Sequence, residues 1–213
     1  MNPIKFLINF VLHLDTHLGD IITQYGAWSY FIVFLIIFGE TGLVIAPLLP
    51  GDSLLFAAGA LAAAGSFNIA ILVFLLIVAA ILGDTLNYHV GRYFGKKAFS
   101  GKYKFLKKEY LDRTNEFYKK YGKKTIVLAR FMPIVRTFAP FVAGVGRMNY
   151  FEFLVYNVIG GVLWVSFFTL GGYFFGNIPI VKENFSIVIL VIIFVSLVPI
   201  VLELWRHRKA KKK

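Results

Sequence analysis

The sequence predicts an all-α integral membrane protein. It is expected to be an inverted repeat of amphipathic helix, re-entrant hairpin and spanning helix, with one more spanning helix near the C-terminus. Three observations predict it: the composition, the clustering of basic residues and the order of apolar segments. Of 213 residues, 58% are hydrophobic and 16% are charged, and the mean hydropathy is +0.72. Soluble proteins carry about 25% charged residues, and a soluble domain of this size cannot bury so much apolar side chain.

Motifs for catalysis and metal binding do not occur in the sequence. There is no cysteine, which removes thiol chemistry, disulfides and cysteine-based metal sites together. The histidines have no metalloprotease spacing, and neither a phosphate-binding P-loop nor a serine nucleophile motif is found. We therefore expect no enzymatic activity, no cofactor and no metal site.

The net charge of +12 is concentrated in two clusters. Of 23 Lys and Arg residues, 12 lie between Arg92 and Lys124 and six lie between Arg206 and Lys213. Basic residues next to spanning segments stay on the cytoplasmic side. We therefore predict a multi-pass protein whose basic loop, residues 92–124, and C-terminus are cytoplasmic. Because orientation explains these charges, nucleic acid is not an expected partner.

Two amphipathic helices are predicted at the membrane surface, one at the N-terminus and one in the basic loop. Both have apolar residues at helical spacing opposite polar or charged ones. The first contains Ile4, Leu7, Val11, Leu14, Leu18 and Ile21, and the second contains Tyr103, Leu106, Tyr110, Phe117 and Tyr121.

Three apolar segments are long enough to cross a hydrocarbon core of about 30 Å. They are residues 69–88, 151–175 and 185–202. In the second of them, Trp164 is expected in an aromatic belt at the membrane interface. Asn157 and the pair Gly160-Gly161 are expected to serve close helix packing.

Two other apolar segments, residues 28–64 and 125–147, contain prolines, which interrupt helices. Irregular backbone at membrane depth is tolerated only where protein covers it or water reaches it. Both segments are therefore predicted to be re-entrant hairpins, each of which enters and leaves on one side. The residues expected at the hairpin tips are Pro47, Pro50, Gly51, Pro133 and Pro140.

One topology places both basic clusters in the cytoplasm. The first hairpin then opens to the outside and the second to the cytoplasm. The chain forms a single membrane domain over residues 1–213, with repeats at 1–91 and 100–176 and a C-terminal span and tail at 183–213. Inverted repeats with interrupted helices are typical of alternating-access transporters, whose substrate site lies near the bilayer midplane.

Five ionisable side chains lie inside apolar segments, where a charge costs at least about 2.5–3.5 kcal/mol. They are Glu40, Asp52, Asp84, Arg130 and Arg136. One interpretation is structural: ion pairs hold the two hairpins together. The other is functional: the arginines bind a mobile anion, while Glu40 and Asp52 exchange protons. Guanidinium favours phosphate because it stays charged and presents a planar fork of donors.

The hairpin tips offer a second means of binding an anion. Half-helices are predicted to begin at the tip formed by residues 50–53 and at the turn around Arg136-Thr137, and free N–H groups at such ends attract phosphate. Ser53 and Thr137 would support the site there, while Asp52 is equally explained as a helix N-cap. For Asp84, three partners stay open: Arg92, Arg130 and Arg136.

Two motifs stand out in the hairpins, PxxPGD over residues 47–52 and ARFxPxxRT over residues 129–137. Together with FGE at residues 38–40 and GD at residues 83–84, they resemble the DedA family, the bacterial members of the VTT superfamily. The resemblance covers about residues 28–205. The combination of the two motifs is more specific than either motif alone.

The resemblance implies a protein of the bacterial cytoplasmic membrane that moves lipids between leaflets. The lipid is undecaprenyl phosphate, the cell-wall lipid carrier, or a phospholipid. The resemblance also implies dependence on the proton motive force, so membrane lipids and protons are the expected partners. The family's acidic pair corresponds to Glu40 and Asp52 and its arginine pair to Arg130 and Arg136, with no departure from the pattern.

The preferred hypothesis is a translocase for undecaprenyl phosphate, in which Arg130, Arg136 and Thr137 bind the phosphate. Two others stay open: a phospholipid scramblase without proton coupling, and a proton-coupled antiporter of small cations. The carried lipid, the coupling ion, the direction of transport and the choice between monomer and homo-oligomer also stay open at this stage.

Overall fold

The computed structural model describes residues 24–43, 51–94 and 108–176, with isolated positions outside these ranges. These residues form helices joined by short turns and contain no strand. A short 3₁₀ helix, Gly122–Lys124, lies between the fourth and fifth α-helices. The α-helices are α1 (Trp28–Gly42), α2 (Gly51–Ala63), α3 (Ile69–Phe94), α4 (Lys108–Tyr121), α5 (Thr125–Ala129), α6 (Pro133–Val145) and α7 (Tyr150–Phe175).

Among the described residues, two helices, α3 and α7, are long and apolar enough to cross a membrane. Both were predicted as spans, and α3 extends six residues beyond its predicted end, to Phe94. The N-terminal amphipathic helix, the third span, and Pro47 and Pro50 lie outside the described residues, apart from isolated positions.

The two spanning helices begin in the same way. The side-chain oxygen of Asn68 accepts hydrogen bonds from the backbone N–H groups of Ala70 (3.0 Å) and Ile71 (3.2 Å). Asn149 does the same for Phe151 (2.9 Å) and Glu152 (3.3 Å). Such N-caps satisfy backbone donors that have no partner in the helix. Each of the two long helices therefore has an asparagine as its N-cap.

The helices that precede them, α2 and α6, have 13 residues each and also end alike. Each ends in a Schellman motif, in which a residue with positive φ turns the chain out of the helix. In α2 this residue is Gly65 (φ 89°), and in α6 it is Arg147 (φ 54°). The 6→1 hydrogen bonds run from Ser66 N to Leu61 O (2.9 Å) and from Met148 N to Ala143 O (3.0 Å).

Helix α6 departs from the prediction in two ways. It begins at Pro133, whose fixed φ suits the first helical position, rather than around Arg136. It then continues through Pro140, so the prediction that Pro140 lies at a hairpin tip is wrong. A proline frees carbonyls one turn earlier in a helix, and a neighbouring helix can satisfy them. Pro140 cannot donate to the carbonyl of Arg136, four residues earlier, and the side-chain amide of Asn87 donates to the next carbonyl, that of Thr137, at 2.8 Å.

Helix α4 lies in the basic loop, as predicted, but its packed face differs. Thr114 is buried and Tyr118 is half-buried, whereas Tyr121, predicted on the apolar face, is exposed. The Tyr118 hydroxyl donates to the carbonyl of Ala139 in α6, at 3.0 Å. This hydrogen bond directs Tyr118 toward α6. The predicted Tyr103 and Leu106 lie outside the described residues, as do the side chains of Tyr110 and Phe117.

The described residues divide into two compact units. The first contains residues 24–33, 51–75 and 165–176. In it, α2 packs on α7 through two glycines. A β-carbon on Gly59 would overlap with the backbone carbonyl of Thr169, and one on Gly172 would overlap with the carbonyl of Phe56. The two backbones therefore touch at this crossing.

The second unit contains residues 34–43, 76–94 and 108–164. In it, α6 packs on α3 through a crossing of the same kind. A β-carbon on Gly144 would overlap with the carbonyl of Tyr88, and one on Gly91 would overlap with that of Phe141. Its apolar core contains Tyr88, Ile126, Ala129, Val135, Ala139, Ala143 and Phe153.

Candidate substrate site

The second unit contains a buried ion pair between Arg136 and Glu40. Arg136 lies in the first turn of α6, and Glu40 lies near the end of α1. The Arg136 guanidinium donates to Glu40 Oε1, and the two side chains are 4% and 1% exposed. Ion pairing between the hairpins was one of the two interpretations of the sequence, and the structure contains this pair.

A second buried ion pair joins Arg130 to Asp84. Arg130 follows the short helix α5 directly, and its Nη2 lies 2.7 Å from Oδ2 of Asp84 in α3. The side chains are 1% and 2% exposed. Of the three partners that the sequence left open for Asp84, the structure pairs it with Arg130. Arg92, another candidate partner, instead donates to the hydroxyl of Tyr88, at 3.2 Å.

Asn157 in α7 orients the Arg130 guanidinium. Its side-chain oxygen accepts from Arg130 Nη2 at 2.6 Å. Its amide nitrogen donates to the carbonyl of Ile81 at 3.0 Å and reaches the hydroxyl of Thr85 at 3.4 Å. Arg130 Nη2 also approaches the carbonyl of Ala80, at 3.4 Å. One end of the guanidinium is therefore held by α3 and α7 together.

The other two nitrogens of the Arg130 guanidinium have fewer hydrogen-bond partners. Within the described part of the chain, Nε and Nη1 of Arg130 have no hydrogen-bond partner, and neither has Oδ1 of Asp84. Two glycines of α7 make room for the side chain. A β-carbon on Gly160 would lie 3.1 Å from Arg130 Nε, and one on Gly161 would lie 3.6 Å from Nη2. The predicted close packing at these glycines therefore includes packing against Arg130, beside contacts with Val127 and Ile81.

Trp164 lies beside both arginines. Its side chain is fully buried, and its ring centroid lies 5.0 Å from Arg136 Cζ and 5.8 Å from Arg130 Cζ. The prediction that Trp164 belongs to an interfacial aromatic belt is therefore wrong. Its ring instead contacts two cations inside the protein, where cation–π attraction is strongest.

We expect Trp164→Phe to lower the free energy of unfolding by about 1–2 kcal/mol, because Phe is a weaker cation–π partner and leaves space in a packed core. Thermal unfolding in detergent measures it. Trp28→Phe is the control, since Trp28 is 69% exposed and an exposed substitution changes stability by about 0.5 kcal/mol or less. Equal effects of the two substitutions would contradict the role of Trp164.

Asn87 in α3 links the segments that carry the other pair. Its amide nitrogen donates to the carbonyl of Thr137 at 2.8 Å and reaches that of Thr41 at 3.4 Å. These residues directly follow Arg136 and Glu40 in the chain. A single buried amide therefore holds the backbone beside both members of the ion pair.

Tyr118 lies near these charges from outside the spanning segments. Burial raises the pKa of the Tyr118 hydroxyl above its usual value, and the negative charge of Asp84 raises it further. The phenol therefore stays protonated and donates its hydrogen bond to Ala139 throughout the physiological pH range.

Other predicted site residues lie in the first unit. Asp52 is in the first turn of α2 and is buried, as is Ser53 beside it. Gly51, expected at a hairpin tip, is the first residue of α2. The structure therefore brings together Glu40, Asp84, Arg130 and Arg136, with Thr137 buried next to them, and assigns Asp52 and Ser53 to the other unit.

The contribution of α7 to the site was not predicted: Asn157 was expected to serve helix packing, whereas its side chain binds Arg130. Asn157, Gly160, Gly161 and Trp164 follow the spacing i, i+3, i+4, i+7, which puts them on one face of a helix. That spacing, with its small and polar residues in an apolar helix, is the signal that identifies a face built around a neighbouring polar side chain. Asn87 carries no comparable signal.

The four residues Glu40, Asp84, Arg130 and Arg136 are called the charged cluster below. It contains two carboxylates and two guanidiniums, all buried, so its formal charges balance. No three His, Cys, Asp or Glu side chains in the described ranges are arranged to hold a metal ion. The cluster offers charge-assisted hydrogen bonds to an anion and carboxylates that can accept protons.

Comparison with known proteins gives consistent matches. The VTT domain family matches the chain over residues 49–174. Protein DedA of Escherichia coli K12 is 55% identical over 213 residues, covering 99% of this chain and 97% of the relative. An uncharacterized membrane protein of Mycobacterium tuberculosis H37Rv is 45% identical over 183 residues, covering 84% and 80%. Inner membrane protein YqjA of E. coli K12 is 37% identical over 152 residues, covering 71% and 69%. No solved structure matches the chain.

Proposed function

Because the chain belongs to the DedA family of VTT-domain membrane proteins, we propose that it is a lipid translocase. It moves an anionic lipid, undecaprenyl phosphate, between the leaflets of the bacterial cytoplasmic membrane, and the proton motive force drives it. The protein is embedded in the membrane and contacts lipid; the substrate and the coupling are what we propose.

The observation that carries this proposal is the pair of buried guanidiniums held side by side against Trp164. Two arginines in an apolar protein are costly to retain, and guanidinium suits a phosphate headgroup better than a small cation. The N–H groups on Nε and Nη1 of Arg130 are available to phosphate oxygens. A cation antiporter is disfavoured, because both carboxylates of the charged cluster are already paired with arginines.

Proton coupling follows from exchange of partners. When Glu40 takes up a proton, it releases Arg136, which then binds a phosphate oxygen. When the proton leaves, the carboxylate recovers Arg136 and displaces the headgroup. We propose that Asp52, which lies in the first turn of α2, also takes up and releases a proton. Asp52 is the second residue of α2 and is therefore not the N-cap that the sequence allowed, but a carboxylate in the first turn is still stabilised by the helix dipole.

We further propose that the chain is an inverted repeat with two re-entrant hairpins, which gives two alternating access routes. The matching helix ends support it, as do the matching glycine crossings. Asn68 and Asn149 are separated by as many positions as Gly91 and Gly172. In this arrangement residues 92–124 face the cytoplasm, and the inner-membrane name of the YqjA relative is consistent with that location.

The test is flux of a fluorescent undecaprenyl phosphate analogue in proteoliposomes, with and without a pH gradient. We expect selective flux that follows the gradient and falls at least tenfold in Glu40→Gln and in Arg130→Ala, since each loses a charge-assisted hydrogen bond worth about 1.5–3 kcal/mol. A phosphatidylethanolamine probe controls for lipid selectivity. Glu152→Gln is the control variant, because Glu152 is an exposed carboxylate paired with Lys123.

Other outcomes would replace the proposal. Equal, gradient-independent movement of both lipids would identify a scramblase. No movement of either lipid, together with proton-driven cation flux, would identify an antiporter. Thermal unfolding of each variant separates loss of transport from loss of folding.

A further inference from the structure

We propose that Asp84 is the exchangeable counter-ion of Arg130, so that binding of a phosphate monoester headgroup is accompanied by proton uptake at Asp84 as well as at Glu40. The inference rests on the proposed function, because it concerns how the same site accepts its headgroup. It gives Asp84 a role beyond structural pairing and makes the number of protons per bound headgroup a measurable property.

The first argument is the uneven bonding of the pair. Nη2 of Arg130 contacts three acceptors, from Asp84 (2.7 Å), Asn157 (2.6 Å) and Ala80 (3.4 Å). In contrast, Nε and Nη1 and the second Asp84 oxygen have no hydrogen-bond partner among the described residues. A buried ion pair that serves stability alone needs its remaining donors and acceptors satisfied. Donors left over at this depth indicate a place for another ligand.

The second argument is charge. The charged cluster is neutral when both carboxylates are ionised, since it contains two of each sign. A phosphate monoester carries a charge of about −1.5 to −2 near pH 7, which a neutral buried cluster leaves uncompensated. Each carboxylate that takes one proton to become a carboxylic acid offsets one negative charge. Its arginine then exchanges a carboxylate oxygen for a phosphate oxygen. One proton therefore accompanies a monoanion and two accompany a dianion.

The third argument is that the side chains around Asp84 do not change their protonation state, so the carboxylates are the groups that take up protons. Asp84 faces Arg130 from the turn after α5, Arg136 from α6 and Tyr118 from α4. Guanidinium does not deprotonate in proteins, and the phenol of Tyr118 stays protonated. His89, one turn along α3, is exposed and bonds to its own helix at the carbonyl of Thr85, at 2.8 Å.

The experiment uses the full chain in detergent and citronellyl phosphate, a short prenyl monophosphate, as the probe. Calorimetric titration at one pH in two buffers of different ionisation enthalpy gives the protons taken up per bound probe. At a pH well above about 6, where the phosphate is a dianion, we expect about two for the wild type. Asp84→Asn and Glu40→Gln should each take up one fewer. Glu152→Gln should match the wild type, because its carboxylate is exposed.

The pH dependence of affinity provides an independent measure. Each linked proton changes Kd about tenfold per pH unit. Above the pH at which Asp84 is ionised, the Kd of the wild type should therefore rise with pH by one more factor of about ten per pH unit than the Kd of Asp84→Asn. Asn has almost the size of Asp, so the variant tests charge with little change in packing.

Two results would overturn the role of Asp84. One is proton uptake that Asp84→Asn leaves unchanged. The other is proton uptake that disappears completely in Glu40→Gln, a variant in which Asp84 is intact. This second variant keeps the proposal testable if Asp84→Asn does not fold. Either result leaves lipid translocation untouched. Failure of the wild type to bind the probe contradicts the proposed function itself.

Discussion

Replacement of Arg136 by lysine should reduce transport at least tenfold although the positive charge is kept. Arg136 bonds to Glu40 and lies 5.0 Å from the Trp164 ring. A planar guanidinium can make both contacts and still present N–H groups to a phosphate, whereas an ammonium is a point charge. Loss of one charge-assisted hydrogen bond costs about 1.5–3 kcal/mol. Proteoliposome flux of the undecaprenyl phosphate analogue measures the effect.

Arg136→Ala should be more severe, since it leaves Glu40 buried without its cation. Breaking a buried pair in this way costs about 3–5 kcal/mol of stability, so unfolding must be measured beside flux. Arg147→Lys is the matched control, because Arg147 belongs to the same unit and is exposed. Full transport by Arg136→Ala would be decisive against a role in headgroup binding.

Substitution of Gly172 by alanine should lower the free energy of unfolding by about 1–3 kcal/mol, the usual cost of overpacking a well-packed core. A β-carbon there would overlap with the carbonyl of Phe56, which belongs to the backbone and cannot turn aside. The helices α2 and α7 must then move apart at their crossing. Thermal unfolding in detergent gives the change.

The adjacent residue provides the control. A β-carbon on Gly171 meets nothing within 4 Å, so Gly171→Ala should be neutral or stabilising by up to about 1 kcal/mol, the helix-propensity difference between Gly and Ala. The two variants differ by one position in one helix. If both change stability alike, helix propensity rather than the crossing explains the glycines.

The fold class and the charged residues of the site are predictable from sequence because each has a large energetic signature. Apolar composition excludes a soluble domain, and an ionisable group in an apolar segment is too costly to be incidental. Glu40, Asp84, Arg130 and Arg136 were identified on that ground. Their pairing was not, since Asp84 had three arginines within reach of its helix and only the packing of α3 on its neighbours selects Arg130.

The incorrect predictions come from sequence rules that consider one helix at a time and ignore its neighbours. An aromatic belt is inferred from position along a span, but Trp164 is buried because of the face it occupies. Pro140 does not end α6, although prolines usually do, and Asn87 donates to one of the nearby carbonyls. Asn87 itself was missed because a lone amide has many roles in an apolar helix. Each error concerns a contact made by a different helix.

The glycine crossings have a consequence for the integrity of the chain. Helix α2 packs on α7, and α6 packs on α3, so each contact joins an element before residue 95 to one after residue 107. A fragment that ends between residues 95 and 107 contains α2 and α3 but lacks α6 and α7. The complementary fragment contains α6 and α7 but lacks α2 and α3. Neither fragment contains both sides of either crossing. Both crossings therefore form only when the two fragments are together.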